Sequence, residues 1–337
     1  MKTTIPGVSF SAVVLCAALL SFSPRPLPAF AATAIHANHV QINGIARAGA
    51  RLVAVGERGV ILISDNDGAA WREAQVSPAA GTTLTQVFFI SARIGIAVGH
   101  QGLIVRSEDG GEHWHEVRSD AEHPDPLLSV WGDDQGQVLA AGSFGQLLVS
   151  RDAGLTWQEL ETPAGDHHLN GIVGDGKGRL VIAGESGLLL RSLDHGATWK
   201  KLSLPYEGSL FGVLMLANGD WIAYGMRGHV LRSPDRGETW TSAEGSLGAS
   251  YFGGTQRDNG EVVLVGQGGA IVTSRDSGKT FAVRSAGGAQ SLAAVSDLGR
   301  GMLALGGDLG VTVESGAPPA SNALSPSAAC STSLECP

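Results

Sequence analysis

The chain has 337 residues, of which 48 are glycine, 43% are apolar and only 16% are charged. Glycine at about twice its average usage, with charge well below the usual ~25%, excludes a coiled coil, a helical bundle and a charged disordered chain. Its 23 basic and 32 acidic residues give a formal net charge of −9, whereas a nucleic-acid binder carries a basic face, so nucleic acid is not an expected partner.

In chain order, Lys2 precedes an apolar stretch from Val8 to Phe22, and Ala29-Phe30-Ala31 follows. That is the layout of an export signal with a small-x-small cleavage site. The apolar stretch is shorter than the ~20 residues that span a bilayer. Leu15 stands where a lipidated Cys16 needs a small residue, so plain cleavage after Ala31 is expected, releasing a periplasmic chain that starts at Ala32.

An eight-residue element then recurs from the first unit onward. It reads Ser64-Asp65-Asn66-Asp67-Gly68-Ala69-Ala70-Trp71 in the first copy and Ser107-Glu108-Asp109-Gly110-Gly111-Glu112-His113-Trp114 in the second. Later copies end at Trp157, Trp199, Trp240 and Phe281, carry Asp152, Asp194, Asp235 and Asp276 at the third position, and match Ser-x-Asp-x-Gly-x-Thr-Trp/Phe throughout. Their first serines are 43, 43, 42, 41 and 41 residues apart. A second marker, Gly-x-x-Gly before an apolar run, has the same period and occurs seven times, from Gly56/Gly59 to Gly307/Gly310.

Each unit reads as four strands. In the fourth copy these are Leu169 to Val173, Arg179 to Ala183, Leu188 to Arg191 and Trp199 to Leu202, with Gly184-Glu185-Ser186-Gly187 as the tight turn between the second and third. In the eight-residue box the aspartate accepts backbone N–H groups, the glycine takes a left-handed conformation and the aromatic covers the hairpin end. Four antiparallel strands every ~40–45 residues define a propeller blade. The expectation is therefore an all-β, seven-bladed β-propeller of four-stranded antiparallel blades over residues 32–315, after a signal peptide at 1–31. Residues Ala34 to Val40 are free to supply a fourth strand to the last blade and so latch the ring.

The tail 316–337 is rich in Pro, Ser and Ala and holds Cys330 and Cys336. An even pair in an exported chain reads as a local disulfide, with two free thiols as the alternative.

The box resembles the Asp-box of bacterial neuraminidase-type repeats. The fuller unit from Val87 to Trp114 resembles the repeat of the photosystem II stability and assembly factor family, including exported bacterial proteins that share the domain. That resemblance spans residues 32 to about 315. It implies a non-catalytic propeller, without a cofactor, that binds other proteins during assembly of a membrane complex, or that accompanies efflux-type transporters. Family members that act in photosystem assembly present an arginine-rich surface, which the net acidity here does not match.

The second reading is an Asp-box glycoside hydrolase. Resemblance to sialidases implies a tyrosine nucleophile with a glutamate, an aspartic acid and three arginines that grip a carboxylate. Only Tyr206, Tyr224 and Tyr251 are available, and Tyr251, at an inner-strand entry, is the one expected near a central site. His113-x-His115 and His167-His168 lack a third ligand and read as turn histidines, so no metal site is expected. Trp131 and Trp221 read as blade core, with a carbohydrate platform as the alternative for Trp131.

Topology places the glycine turns on one face and the boxes on the other. The turn residues Glu57-Arg58, His100-Gln101, Ser143-Phe144, Glu185-Ser186, Met226-Arg227, Gln267-Gly268 and Asp308-Leu309 should therefore ring one mouth. Arg58, His100, Phe144, Glu185, Arg227 and Asp308 are the candidate contacts, because Phe144 and Met226 beside arginines suit protein recognition. Glu185 with Glu57 or Asp308 is the catalytic pair that remains conceivable.

Overall fold

Every repeat opens with a strand whose first residue is large and apolar, followed by a second strand that is apolar or small apart from Arg51 in the first. In a computed structural model these become the inner two strands of a blade. The first blade is Ile42–Ala48, Arg51–Gly56, Ile61–Ser64 and Arg72–Glu73, paired antiparallel in sequence order. Described residues are 39–77, 81–120, 122, 124–245, 248–284 and 290–315. The export signal, most of the proposed latch (34–38) and the tail with Cys330 and Cys336 lie outside them.

Seven sheets follow one another, giving the expected seven-bladed β-propeller with mostly antiparallel, four-stranded blades. In the fourth, Leu169–Gly174, Leu180–Gly184, Leu189–Ser192 and Lys200–Lys201 lie close to the expected spans. The outermost strand is shorter than expected, because Trp199 belongs to the box and turns inward. Blade two differs: its outer strand, His113–Arg118, takes a fifth strand, Gln75–Ser77, in parallel from the linker after blade one. Blade seven has three strands among the described residues, ending at Gly310–Ser315, and His39 and Val40 are not in a strand.

The second strands are buried along their whole length in blades two to six, for instance Val138–Gly142 and Val262–Gly266. Both faces of such a strand meet neighbouring blades, which is why the sequence runs apolar instead of alternating. The core is accordingly divided into seven apolar clusters, one per blade junction. Blade seven closes on blade one through Leu298, Ala304 and Val311 against Ile42, Leu52 and Leu62. The ring is thus shut by side-chain packing.

The boxes clamp these junctions. In the sixth blade Ser274 Oγ donates to Asp276 Oδ1 (2.8 Å) and accepts Gly278 N (2.8 Å). Asp276 also accepts Thr280 N (2.9 Å) and Thr280 Oγ1 (2.7 Å). A side chain at Gly278 would place its Cβ 1.8 Å from Ile222 Cδ1, at φ +78. Burial alone would raise the aspartate's pKa, but the donors from Thr280 and Ser274 prevail and hold it at about 2. In the first box Asn66 replaces aspartate and still receives Ser64 Oγ (2.9 Å) and Ala70 N (2.8 Å). Each box aromatic enters the junction with the preceding blade: Trp114 is fully buried between blades one and two, whereas Trp157 is only half-buried.

Candidate functional site: the glycine-turn mouth and the central channel

The turn between second and third strands is built around a backbone clasp. The carbonyl of the residue leading into the inner strand, Gln41 in blade one, accepts the N–H of Glu57 (3.0 Å). It lies so close to Gly56 that a Cβ there would come within 1.9 Å of it. The same bond recurs as His100 to Thr83, Glu185 to His168, Met226 to Ser209 and Asp308 to Ser291. This clasp fixes the turn against the blade connection and explains the first glycine of the motif.

The residue before the second glycine is left-handed: Arg58 (φ 57), Gln101 (φ 58), Phe144 (φ 52), Ser186 (φ 52) and Arg227 (φ 54). All five are exposed. A non-glycine residue in this region costs ~1–2 kcal/mol, and the geometry points its side chain away from the sheet into solvent. The seventh turn departs from the pattern, because Gly307 pairs directly with Gly310 in a two-residue hairpin and Leu309 is exposed.

The turns bring the candidate residues to one face. Arg58, His100, Phe144, Arg227 and Asp308 are exposed, and Glu185 and Met226 are half-buried. Phe144, 58% exposed, stacks edge-on against His168 (centroids 4.9 Å apart), whose Nδ1 accepts the Phe144 N–H at 3.0 Å. Tyr206 lies over His229 at 4.2 Å, and Arg227 N donates to Ser250 Oγ at 3.2 Å. An aromatic and cationic arc therefore runs across blades three to five.

The three acids behave differently from the conceivable catalytic pair. Glu57 accepts Gln41 N (3.4 Å), Glu185 accepts His168 N (3.2 Å) and Asp308 accepts Ser291 N (2.9 Å). Each carboxylate pins the entry of its own inner strand, so these groups are structural parts of three separate blades.

Inside the mouth, the inner strands enclose a channel of about 800 Å³. The residue after each strand's first apolar position lines it: Asn43, Thr85, Leu128, Asn170, Phe211, Phe252 and Ala293. Asn43 Nδ2 donates to Leu84 O (2.8 Å), Thr85 Oγ1 to Leu127 O (2.7 Å) and Asn170 Nδ2 to Leu210 O (2.9 Å). These bonds stitch blade one to two, two to three and four to five. In blades five and six Phe211 and Phe252 pack together with centroids 5.3 Å apart. The lining mixes polar, aliphatic and aromatic side chains, and Arg47 is its one arginine among the described residues.

Tyr251 is not at the channel. It is fully buried between blades five and six with Tyr224, Val262 and Leu264. A β-bulge between Tyr251 and Gly253 leaves Phe252 unpaired in register, and its ring is the one that lines the opening. Tyr224 does border the channel, yet it is 5% exposed and burial pushes its phenol well above the ordinary range. Tyr206 sits at the outer mouth. Trp131 fills the space left by Gly174 of the next blade, where a Cβ would come within 2.5 Å of Cζ2, and Trp221 is buried against Gly237.

The histidine pairs are bonded locally and do not converge. His113 Nδ1 meets Asp109 Oδ2 at 2.7 Å, and His167 Nδ1 meets Ala164 O at 2.7 Å. His113 and His115 belong to an outer strand, not a turn. Among the described residues no group of three His, Cys, Asp or Glu side chains converges.

No protein-family model matches the sequence, and no curated protein matches it. Solved structures do match by shape. YCF48 bound to a D1 peptide superimposes with a TM-score of 0.66 at 16% identity, covering 86% of this chain and 98% of that one. YCF48 from Cyanidioschyzon merolae gives 0.65 at 17%, over 86% and 97%. The WD40 β-propeller domain of Doa1 gives 0.65 at 13%, over 83% and 95%. The arrangement of this chain is thus similar to that of YCF48 and WD40 propellers, and at these identities the likeness is one of fold.

Proposed function

We propose that the chain is a non-catalytic interaction module that holds a protein partner at its glycine-turn mouth. The observation that carries this reading is the row of exposed side chains held in left-handed turns, with Phe144, Arg58 and Arg227 among them. Backbone strain is retained there to display residues of the kinds enriched where proteins meet. The aromatic side of the channel, Phe211 and Phe252, continues that surface inward. A YCF48 propeller of similar fold carries a bound peptide, which supports the same use of the scaffold here.

The enzyme reading is the weaker one. Tyr251 is buried, the mouth carboxylates are tied to backbone N–H groups, and a single arginine lines the channel. No turnover of a chromogenic glycoside panel is expected. We further propose that the protein is exported by the segment Val8 to Phe22 and that its partner belongs to a membrane complex, an efflux-type transporter being the first candidate. The test is to replace Arg58, Phe144 and Arg227 together by alanine. Partner capture should fall by at least about tenfold, a loss of ~1.4 kcal/mol or more, with an unchanged melting temperature. Undiminished capture, or glycoside turnover abolished by Tyr224→Phe, overturns the reading.

A further inference from the structure

The opposite face, where the boxes lie, carries a feature that this function does not use. Between the first hairpin turns of blades four and five is a pocket of about 280 Å³ lined by Asp175, Lys177, Arg179, Asn218, Trp221 and Arg236. Three cations thus share it with one carboxylate, on a chain whose net charge is −9.

The acids in and around the pocket are already spoken for. Asp175 accepts Lys177 N (2.8 Å) and Arg179 N (3.1 Å) on Oδ1 and Arg179 Nε (2.5 Å) on Oδ2. Asp220 is paired with Arg232 at 2.6 Å, and Glu238 with Arg191 at 2.7 Å. Arg179 therefore answers Asp175, and Lys177 and Arg236 remain. Neither side chain makes an ion pair among the described residues, and both are exposed.

The backbone of Arg236 is held in place. Its backbone is left-handed (φ 60), and its carbonyl accepts Arg191 Nη1 of the preceding blade at 3.1 Å. Its Nε lies 4.0 Å from where a Cβ on Gly219 would stand, so the guanidinium runs along the bare turn of its own blade. A planar fork beside a second cation in one pocket, with Trp221 as an apolar wall, suits an oxyanion taken in a bidentate manner. We infer that this pocket binds a phosphate or carboxylate group between Arg236 and Lys177. The site is distinct from the glycine-turn mouth and stands or falls independently of partner binding there.

The test is a ¹⁵N NMR titration of the intact protein, once with inorganic phosphate and once with acetate, at constant ionic strength. Saturable shifts are expected at the amides of Lys177, Asn218 and Gly219. Arg236→Ala and Lys177→Ala should each weaken the apparent affinity by about tenfold or more, the loss of one charge-assisted contact. Arg236→Lys should retain part of it, and Arg58→Ala on the far face should change nothing. A response to phosphate alone assigns a tetrahedral anion, and one to acetate alone a carboxylate. Linear, non-saturating shifts with both anions, or saturable shifts that persist undiminished in Arg236→Ala and Lys177→Ala, overturn the inference.

Discussion

At the scale of single residues, the box aspartates are the part of the molecule most directly legible in the sequence. Their repeated spacing marked them as turn formers, and each accepts the expected backbone and hydroxyl donors. What the sequence did not reveal was their electrostatic state. Asp276 titrates at about 2 instead of 3.8, so it contributes stability that is fully present above the unfolded value and is lost as the pH falls through 2. The urea midpoint should therefore decline between about pH 5 and about pH 2, and decline less steeply in Asp276→Asn. Asn66 already shows that an amide holds the same turn. Equal slopes for the two proteins would show that Asp276 does not carry the effect. Tyr251 was misplaced for a physical reason of the same scale: the bulge beside it decides which of two adjacent aromatics meets the channel.

At the scale of elements, the strand order and the turn positions follow from the two repeated motifs, and in the fourth blade the two inner strands fall within a residue of their expected bounds. The parallel strand Gln75–Ser77 and the two-residue hairpin at Gly307/Gly310 were not legible. Junctions also differ in how deeply the box aromatic is set. Trp114 is fully enclosed and pairs edge-on with Phe89 at 5.9 Å, so Trp114→Ala should lower the unfolding free energy by ~3–5 kcal/mol. Trp157→Ala, at a half-exposed ring, should cost only ~1–2 kcal/mol. Denaturant unfolding of the two variants checks this, and equal losses would contradict the junction-by-junction account.

At the scale of the whole molecule, seven repeats predicted seven blades, and the channel and two unlike faces are consequences of closing them into a ring. The candidate contacts gather on one face because topology alone fixes where a second-to-third turn must lie. The channel lining was not foreseen as a surface, although its signal was present as the residue after the first apolar position of each inner strand. Seven of those residues become neighbours only once the ring is closed, and no single unit carries that information. The same holds for the cationic pocket, whose Lys177 and Arg236 come from adjacent blades.

The claim that the glycine-turn mouth is the partner-binding face is tested most directly by site-specific photo-cross-linking in intact cells. A photoreactive residue at position 144 on that face is compared with one at position 155, where Leu155 is 53% exposed on the box face. The account predicts a discrete protein adduct from position 144 that disappears in Arg227→Ala, and none from position 155. No adduct from 144, or the same adduct from both positions, would contradict it.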